Sequence, residues 1–372
     1  MTLTDPARDL IGKTVLGEWL IEESINLKSN GSTGGNFCIP YKARNIKTGQ
    51  RGFLKVLDVI KAIQIYGNEG VSVLETLNRI TTAHIFESQL MDACKEKKLT
   101  RVVRALEYGE IALDVPPLGN IGFPFLIFEL ADGDTHKLLQ TNAVDLAWWL
   151  STLHQAAVGI QQLHGLNIAH QDLKPSNVVF FGVDDEQLRK LADGTIKIKN
   201  LTNNSKLTDL GRAARKGVAS KNDGRVGDFG YMPPEYYYGY RPLNWGERFL
   251  AMDLYLLGNL AFTAITGISI TTAIFSQTPP EIHWVMYHGD YPDVVPALTR
   301  ALAEVLQKVR DKIPEPLREL LITTIQQLCQ PDPAKRGHPK NHEMIAGAKY
   351  SVERYVSAFH RMKVIAEMEL RT

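Results

Sequence analysis

The sequence predicts an α+β fold in which a strand-rich first part is followed by a helical second part. Between residues 17 and 60, apolar and polar side chains alternate with the period of β-strands, and turn-forming residues separate the alternating runs. Over residues 145–164, apolar side chains recur instead at helical spacing. With 372 residues, the chain can bury one large core or two modest ones.

Composition and charge narrow the class of protein. Lys and Arg number 42 and Asp and Glu 41, so the net charge of +1 creates no global field that would favour nucleic acid or an anionic membrane. The N-terminus carries an acid early and no apolar run, which argues against a secretory signal. The three cysteines are odd in number and scattered, which predicts reduced thiols and a cytoplasmic location: Cys38, Cys94 and Cys329.

One apolar stretch, residues 249–275, is long enough to suggest a membrane span. It contains Asp253 near its start and Asn259 within it, together with several Thr, Gly and Ser residues. We therefore expect a buried helix in a large core and no membrane span. No sequence feature specifies an oligomeric state.

Three strands and a glycine-rich turn are predicted near the start of the chain. In order, they occupy residues 19–25, 30–37 (the turn), 38–44 and 53–57. Because glycine has no Cβ, backbone N–H groups at Gly34 and Gly35 can approach a phosphate closely. Lys55 lies on the last of these strands between apolar neighbours, which favours a functional lysine over a solvated one.

The most informative stretch is residues 170–177, with the sequence His-Gln-Asp-Leu-Lys-Pro-Ser-Asn. It holds Asp172, Lys174 and Asn177 on one short loop. Phosphoryl transfer needs a carboxylate to orient the attacking hydroxyl, a cation to offset charge on the phosphoryl group, and an amide oxygen to help hold a metal ion. A second metal-holding carboxylate is expected downstream, and Asp209 in Thr-Asp-Leu-Gly supplies it.

In this order the two motifs resemble the catalytic loop and the D-F-G motif of eukaryotic-like Ser/Thr protein kinases, with Leu210 in place of phenylalanine. The resemblance runs from about residue 17 to Arg336. It implies a bilobal protein-kinase-like fold, with a small antiparallel β-sheet lobe at residues 1–130 and a larger helical lobe at residues 131–372. It also implies ATP as the phosphoryl donor and a protein as the acceptor.

The resemblance implies roles for individual residues. Asn177 and Asp209 would hold Mg²⁺, or Mn²⁺ in its place. Lys55 would contact the nucleotide phosphates and pair with a helix glutamate, either Glu87 or Glu75. We expect Glu87, because its spacing to the strand predicted at residues 101–106 fits the family, although an i,i+4 surface pair would explain either one. The other nucleotide contacts would be Gly34, Gly35, Phe128, Glu129, Ala131, Asp134 and Val179.

One of the proposed nucleotide contacts also has a purely structural explanation, and the resemblance assigns two further residues a structural role. Asp134 is equally well explained as a helix N-cap. Asp253 matches the aspartate that supports the catalytic-loop backbone in the family. Arg336 matches the arginine that pairs with the last residue of the activation segment, here Glu235 in Met-Pro-Pro-Glu.

The sequence departs from the family in the activation segment, residues 209–235. Gln171 replaces the arginine that usually meets an activation-loop phosphate, and few hydroxyls are available, namely Ser220 and Tyr231. We therefore expect activity without loop phosphorylation, with Arg212 and Arg215 left as the alternative anchors for a phosphate on Ser220. Asp228 replaces the usual threonine, and we expect it near Lys174 and close enough to Asp172 to raise the proton affinity of that carboxylate. In the first lobe, three further positions depart from the family. Cys38 stands in place of the third glycine of the phosphate loop, Pro40 in place of a valine, and Phe53 in place of a small alanine that lines the adenine site.

Two segments fall outside the usual pattern. Residues 184–204 lengthen the connection between Asn177 and Asp209, and we expect an elongated hairpin there. Residues 344–370 are expected to form a long helix beyond the region of resemblance.

Three functions are compatible with the motifs. The first is an ATP-dependent kinase that modifies Ser or Thr hydroxyls of proteins, which Lys174 favours over a tyrosine kinase. The second is a pseudokinase that serves as a scaffold. Pseudokinases commonly lose one of four catalytic groups, whereas this chain keeps all four: Lys55, Asp172, Asn177 and Asp209. The third is a small-molecule kinase of the aminoglycoside-kinase type, although those enzymes generally lack the Pro-Pro-Glu ending and its arginine partner.

Overall fold

The computed structural model describes residues 5–25, 37–116, 119–139, 145–183, 185–192, 203–218, 228–344 and 349–369. The chain divides into two compact units, Met1–Ala131 and Asp132–Thr372. The first unit contains an antiparallel sheet and two helices, and the second is mostly helical. The predicted α+β fold, with a sheet-based part followed by a helical part, is confirmed.

A six-stranded antiparallel sheet forms the first unit. Its strands are β1 (Thr14–Val15), β2 (Trp19–Ser24), β3 (Cys38–Asn45), β4 (Arg51–Leu57), β5 (Ala105–Val115) and β6 (Gly119–Glu129). They lie in the order β1-β2-β3-β4-β6-β5. The three strands predicted from alternation are present as β2, β3 and β4, with ends shifted by one or two residues. Alternation buries one face, including Tyr41, Leu54 and Val56.

The strand predicted at residues 101–106 begins only at Ala105, so that boundary was wrong. The reason lies at Arg104, whose backbone N–H donates to the Glu129 side chain at 2.8 Å while its carbonyl accepts from the Glu129 N–H at 3.0 Å. A side chain therefore takes the hydrogen bond that a neighbouring strand would otherwise make.

Two helices lie between β4 and β5: α1 (Val59–Asn68) and α2 (Val73–Glu96). The Asp58 side chain caps α1 by accepting the Lys61 N–H, and the Ser72 side chain caps α2 by accepting the Glu75 N–H. The helix expected around Glu87 therefore begins much earlier than the sequence indicated.

The second unit contains two small sheets among its helices. Its elements are β7 (Gly133–Asp134), α3 (Thr135–Leu139), α4 (Leu146–Gly165), β8 (Ile168–Ala169), β9 (Val178–Phe181), α5 (Asp185–Ala192), β10 (Asn204–Leu207), β11 (Ala214–Arg215), α6 (Pro234–Tyr237), α7 (Ala251–Thr266), α8 (Ile270–Ser276), α9 (Tyr291–Val309), α10 (Glu315–Leu328), α11 (Pro339–His342) and α12 (Glu353–Glu369). The sheets have the orders β10-β9-β7 and β11-β8.

Helices α4 and α7 form much of the core of the second unit. Asp145 caps α4, with its side chain accepting the Trp148 N–H at 2.8 Å. A π-helical turn, Gly246–Leu250, leads into α7, and almost every α7 side chain is buried. Within the described residues, Gly246–Thr266 is long and apolar enough to cross a membrane, and 72% of its apolar stretch is buried in the protein. The expectation that the chain has no membrane span stays a prediction.

The expected hairpin at residues 184–204 is wrong for its first part, because residues 185–192 form α5. An i,i+4 ion pair between Glu186 and Lys190 at 2.6 Å supports a helix there. Residues 193–202 lie outside the described residues. The C-terminal helix predicted at residues 344–370 is present as α12, which begins at Glu353 and packs along α4.

A buried ion pair fixes the end of the activation segment in the second unit. The Arg336 guanidinium donates to both carboxylate oxygens of Glu235, at 2.8 and 2.9 Å. Its remaining N–H groups donate to the carbonyls of Gln330, Ala251 and Pro331. Burial alone would lower the pKa of Arg336, but the Glu235 carboxylate outweighs burial and the pKa is raised.

We predict that Arg336→Met destabilises the protein by roughly 3–5 kcal/mol, because Glu235 is left buried and uncompensated. Urea unfolding measures the change in the free energy of unfolding. Arg310→Met is a control, since Arg310 pairs with the exposed Glu319 and should change stability by less than about 1 kcal/mol. Adding Glu235→Leu to Arg336→Met should recover part of the loss. Equal effects of the Arg336 and Arg310 substitutions would contradict the prediction.

Candidate active site

The backbone of the loop at residues 170–177 is held by one buried carboxylate. Asp253, in the first turn of α7, accepts the backbone N–H groups of His170 and Gln171, each at 2.8 Å. It also contacts the ring Nε2 of His164 at 2.8 Å. Gln171 has a φ of 68°, a left-handed conformation that costs energy for a residue with a side chain. The two hydrogen bonds that the backbone N–H groups of His170 and Gln171 donate to Asp253 stabilise this conformation.

Three predicted site residues meet on this loop. The Lys174 Nζ lies 3.5 Å from Asp172 Oδ2. The Asn177 side-chain amide donates to the Asp172 carbonyl at 2.7 Å and to its carboxylate at 3.1 Å. All three side chains are buried. The loop therefore fixes the direction of the Asp172 carboxylate through a cation on one side and an amide on the other.

The pairing of β9 with β10 brings Asp209 to the same loop. Val178 is paired with Leu207, and the Thr208 N–H donates to the Asn177 carbonyl at 3.0 Å. Asp209 follows with a left-handed φ of 63°. Asp209 is therefore one residue beyond a direct backbone contact with Asn177, and its charge helps to raise the pKa of Asp172.

The chemistry of these donors fits a magnesium ion. The Asn177 amide nitrogen is engaged with Asp172, so its oxygen is the atom suited to a metal, and Asp209 adds a carboxylate. Mg²⁺ commonly takes one or two protein oxygens and completes its shell with water and phosphate. The described residues contain no cluster of three or more His, Cys, Asp or Glu that could hold a metal alone.

The environment of Asp172 raises the pKa of its carboxyl group. Burial is the largest cause, and the charge of Asp209 adds to it, while the cations Lys174 and Arg212 oppose it. We expected Asp228 to be the acid responsible, but the acid that adds to burial here is Asp209. Although burial would raise the pKa of Asp228, its ion pair with Lys174 at 3.0 Å lowers it.

In the first unit, Lys55 pairs with Glu87. The Lys55 Nζ lies 2.9 and 3.2 Å from the two oxygens of Glu87, and both side chains are largely buried. Glu75, the other candidate, pairs with Arg79 on the exposed side of α2. Burial and the nearby Lys55 charge lower the pKa of His84, one turn before Glu87, to about 4.

Two predicted nucleotide contacts lie at the end of β6. Phe128 is buried and is paired in register with Phe53 of β4. Glu129 closes the strand and uses its side chain to hold Arg104, as described above. Ala131 is the last residue of the first unit.

Two more of the predicted nucleotide contacts lie in the second unit, where Asp134 of β7 is paired with Val179 of β9. The Asp134 carboxylate accepts the Lys137 N–H at 3.2 Å, the hydrogen bond of a helix N-cap. Burial raises the pKa of Asp134. Gly34 and Gly35 lie outside the described residues, as does Ser220.

Sequence reasoning missed two residues near the loop. His164, at the end of α4, contacts Asp253, and Arg212 lies with its Nε 4.0 Å from Asp172 Oδ2. The position of His164 just before the loop was a signal for its role. Arg212 gave none, because its approach depends on the path of the chain after Asp209.

We predict that Asp172→Asn raises the free energy of unfolding at about pH 7. A raised pKa means that the folded protein binds the Asp172 proton more tightly than the unfolded chain, whose pKa is near 3.8. Stability from this group is therefore present at low pH and is lost as pH rises through the folded pKa. Urea unfolding at several pH values measures the free energy of unfolding of variant and wild type. The difference between these two free energies should become smaller as the pH is lowered.

Asp311→Asn provides the control, because Asp311 is exposed and its charge should matter little. A destabilised Asp172→Asn at neutral pH would show that ionised Asp172 contributes net stability and that the predicted sign is wrong.

Comparisons with known proteins identify the family. The model of the protein kinase domain matches residues 34–343. The chain is 25% identical over 238 residues to the SNF-related serine/threonine-protein kinase of Rattus norvegicus, covering 63% of this chain and 25% of that protein. It is 28% identical over 196 residues to the serine/threonine-protein kinase PknA of Corynebacterium glutamicum, covering 49% of this chain and 35% of that protein.

A similar match, 25% identity over 194 residues, covers 32% of the serine/threonine-protein kinase drp72 of Corynebacterium efficiens. The chain thus spans about a quarter to a third of the length of these relatives. The family match, in contrast, covers most of this chain and includes every described residue of the loop around Asp172. The chain belongs to the protein kinase domain family.

Proposed function

We propose that this chain is an ATP- and magnesium-dependent protein kinase that transfers the γ-phosphoryl group of ATP to serine or threonine hydroxyl groups. The observation that carries the proposal is the buried loop on which Asp172, Lys174 and Asn177 converge, with Asp209 beside it. The names of the curated relatives, which are serine/threonine kinases, support the same acceptor class.

Asp172 would orient the attacking hydroxyl and accept its proton. The Asn177 amide and the Lys174 ammonium hold the carboxylate in one direction, which favours an in-line approach. Lys174 would also offset negative charge on the phosphoryl group as it is transferred. Burial of Asp172 keeps water from competing with the substrate hydroxyl.

Asn177 and Asp209 would hold the magnesium ion. When bound, that ion neutralises charge on the phosphates of ATP. Lys55, fixed by Glu87, would contact the phosphates. Five further residues would contribute adenine or ribose contacts: Phe128, Glu129, Ala131, Asp134 and Val179. Gly34 and Gly35, which lie outside the described residues, would contribute phosphate contacts.

The two other functions have less support. A scaffold that does not catalyse has no need to keep Lys55, Asp172, Asn177 and Asp209 together with their partners. A small-molecule kinase has no evident need for the buried pair of Glu235 and Arg336, which fixes the end of the activation segment. A cytoplasmic location is part of the proposal and agrees with the scattered cysteines.

The test is transfer of labelled phosphate from ATP by the full chain, with magnesium, to generic protein substrates and to an aminoglycoside. We expect phosphoserine or phosphothreonine on protein. Asp172→Ala should lower turnover by about 10²–10⁴-fold while nucleotide still binds, and Asp209→Ala should also weaken magnesium-dependent nucleotide binding. Label on tyrosine, label on the aminoglycoside alone, or full transfer by either variant would contradict the proposal.

We predict that Glu87→Ala impairs transfer and Glu75→Ala does not. Glu87 is the partner of Lys55 at 2.9 Å, whereas Glu75 pairs with Arg79 on the exposed face of the same helix. Glu75→Ala is therefore the matched control for any loss of helix stability. Initial rates at saturating and limiting ATP measure the effect. The reverse order of activities would show that the pair of Lys55 and Glu87 is structural only.

We predict that activity does not depend on phosphorylation of Ser220. The Gln171 side chain donates to the Phe249 carbonyl at 3.0 Å, and its amide has neither the charge nor the fork by which arginine holds a phosphate. Phosphatase-treated wild type and Ser220→Ala should keep most of their activity towards an added substrate. A tenfold or greater loss in both would mean that a phosphate controls the segment.

A further inference from the structure

Helix α1 lies in the chain between the strand that carries Lys55 and the helix that carries Glu87. Its Tyr66 ring packs against the Phe37 ring, with the ring centroids 5.3 Å apart and the ring planes inclined by 32°. Both side chains are half-buried and lie against the hydrophobic core of the first unit. An aromatic pair at this separation is attractive beyond the area that it buries.

A second contact holds Phe37 from the start of the same helix. The backbone N–H of Asp58 donates to the Phe37 carbonyl at 2.7 Å. The buried Asp58 carboxylate is itself fixed, because it accepts the Lys61 N–H at 3.0 Å as the cap of α1 and pairs with Arg8 at 2.6 Å. Helix α1 therefore holds Phe37 twice, by a backbone contact at its first end and by a ring contact near its last.

The Tyr66 ring is also held by α2. The guanidinium carbon of Arg79 lies 5.6 Å from the centroid of the ring, which is the distance of a cation–π contact. The Tyr66 carbonyl accepts the Val71 N–H at 2.9 Å in the turn that joins the two helices. The position of Tyr66 is therefore set by α1 and α2 together, and α2 is the helix whose Glu87 pairs with Lys55.

Phe37 lies in the chain where the proposed phosphate contacts meet the sheet. It follows Gly35, which is outside the described residues, by two positions. Three positions after Phe37, Pro40 of β3 is paired in register with Lys55 of β4. The residue that α1 holds thus joins the glycine-rich stretch to the strand beside the lysine proposed to contact phosphate.

We propose that Tyr66 is a positioning residue for the nucleotide phosphates, and that it acts through Phe37 on the chain that leads from Gly35 into β3. The proposal rests on the nucleotide site of the kinase function proposed above. Without the Tyr66 ring, Phe37 keeps more freedom in the nucleotide-free protein and loses it when phosphate binds, which lowers affinity. Contacts with adenine, proposed for Phe128 and Ala131, should not change.

Nucleotide binding by the full chain tests this proposal. Isothermal titration calorimetry with magnesium gives the Kd of ATP, ADP and adenosine, which share the nucleoside and differ in phosphate. Tyr66→Ala should weaken ATP and ADP by about three- to tenfold, the effect of losing one aromatic pair, and should leave adenosine within about twofold of wild type. A general folding defect would weaken all three ligands alike.

Two variants of α1 are matched controls. Ile65→Ala removes an apolar side chain from the same turn of the helix, but Ile65 is exposed, so the three Kd values should stay at their wild-type values. Tyr66→Phe should restore wild-type binding of ATP and ADP, because the contacts with Phe37 and Arg79 are made by the ring.

A double-mutant cycle shows whether Tyr66 acts through Phe37. Phe37→Ala should weaken ATP and ADP by a factor similar to that of Tyr66→Ala. Adding Tyr66→Ala to Phe37→Ala should then change the Kd of ATP little, because the effects of contacting residues are not additive. Two effects that simply multiply would show that Tyr66 does not act through Phe37, and the proposal would be wrong.

The outcomes distinguish the two proposals. If Tyr66→Ala leaves ATP binding unchanged or weakens all three ligands equally, while the wild type transfers phosphate to protein, the positioning role is overturned and the kinase activity stands. Selective weakening of ATP and ADP in a chain whose wild type transfers no phosphate supports the positioning role and overturns the kinase activity. A wild type that binds none of the three ligands overturns both.

Discussion

The arrangement of the candidate site depends on one buried carboxylate, that of Asp253. It accepts two consecutive backbone N–H groups, from His170 and Gln171, and a ring nitrogen of His164. These two N–H groups belong to successive peptide planes, and both planes are held by the two oxygens of one carboxylate. These hydrogen bonds stabilise Gln171 in its left-handed conformation, and this turn directs Asp172 into the loop. A carboxylate cannot be buried without donors, so the loop and Asp253 require each other.

The start of α7 gathers the other constraints as well. The π-helical turn Gly246–Leu250 widens the hydrogen-bond pattern there, and two nearby carbonyls accept side-chain donors. Phe249 accepts from Gln171 and Ala251 accepts from Arg336, which also holds the end of the activation segment. The start of α7 therefore makes hydrogen bonds both to the catalytic loop, through Phe249, and to the arginine that holds the end of the activation segment, through Ala251. A buried helix that begins here fixes both segments in the second unit.

The parts of the fold and of the site that depend on neighbouring residues could be predicted from the sequence. The loop around Asp172 is recognisable because its acid, lysine and amide lie within six residues, and the alternation of apolar and polar residues located β2, β3 and β4. Helix α2 was harder, since exposed apolar residues such as Leu74 and Ile85 blur its amphipathic pattern. The N–H of Arg104 is taken by a side chain 25 positions away, a contact that no window of sequence reveals. Boundaries and partners of this kind depend on tertiary structure.

Two residues that depart from the family, Gln171 and Asp228, together determine how the activation segment contacts the catalytic loop. Gln171 points to the Phe249 carbonyl, and its amide oxygen is buried without a hydrogen-bond partner among the described residues, a cost of about 1–3 kcal/mol. Such a residue gives no anchor for a phosphate. Asp228 supplies a different link, since its carboxylate joins Lys174 of the loop and also accepts the Gly230 N–H. A carboxylate in the segment thus makes the connection that threonine makes through a neutral hydroxyl, and its ion pair with Lys174 links Asp228 to the catalytic loop.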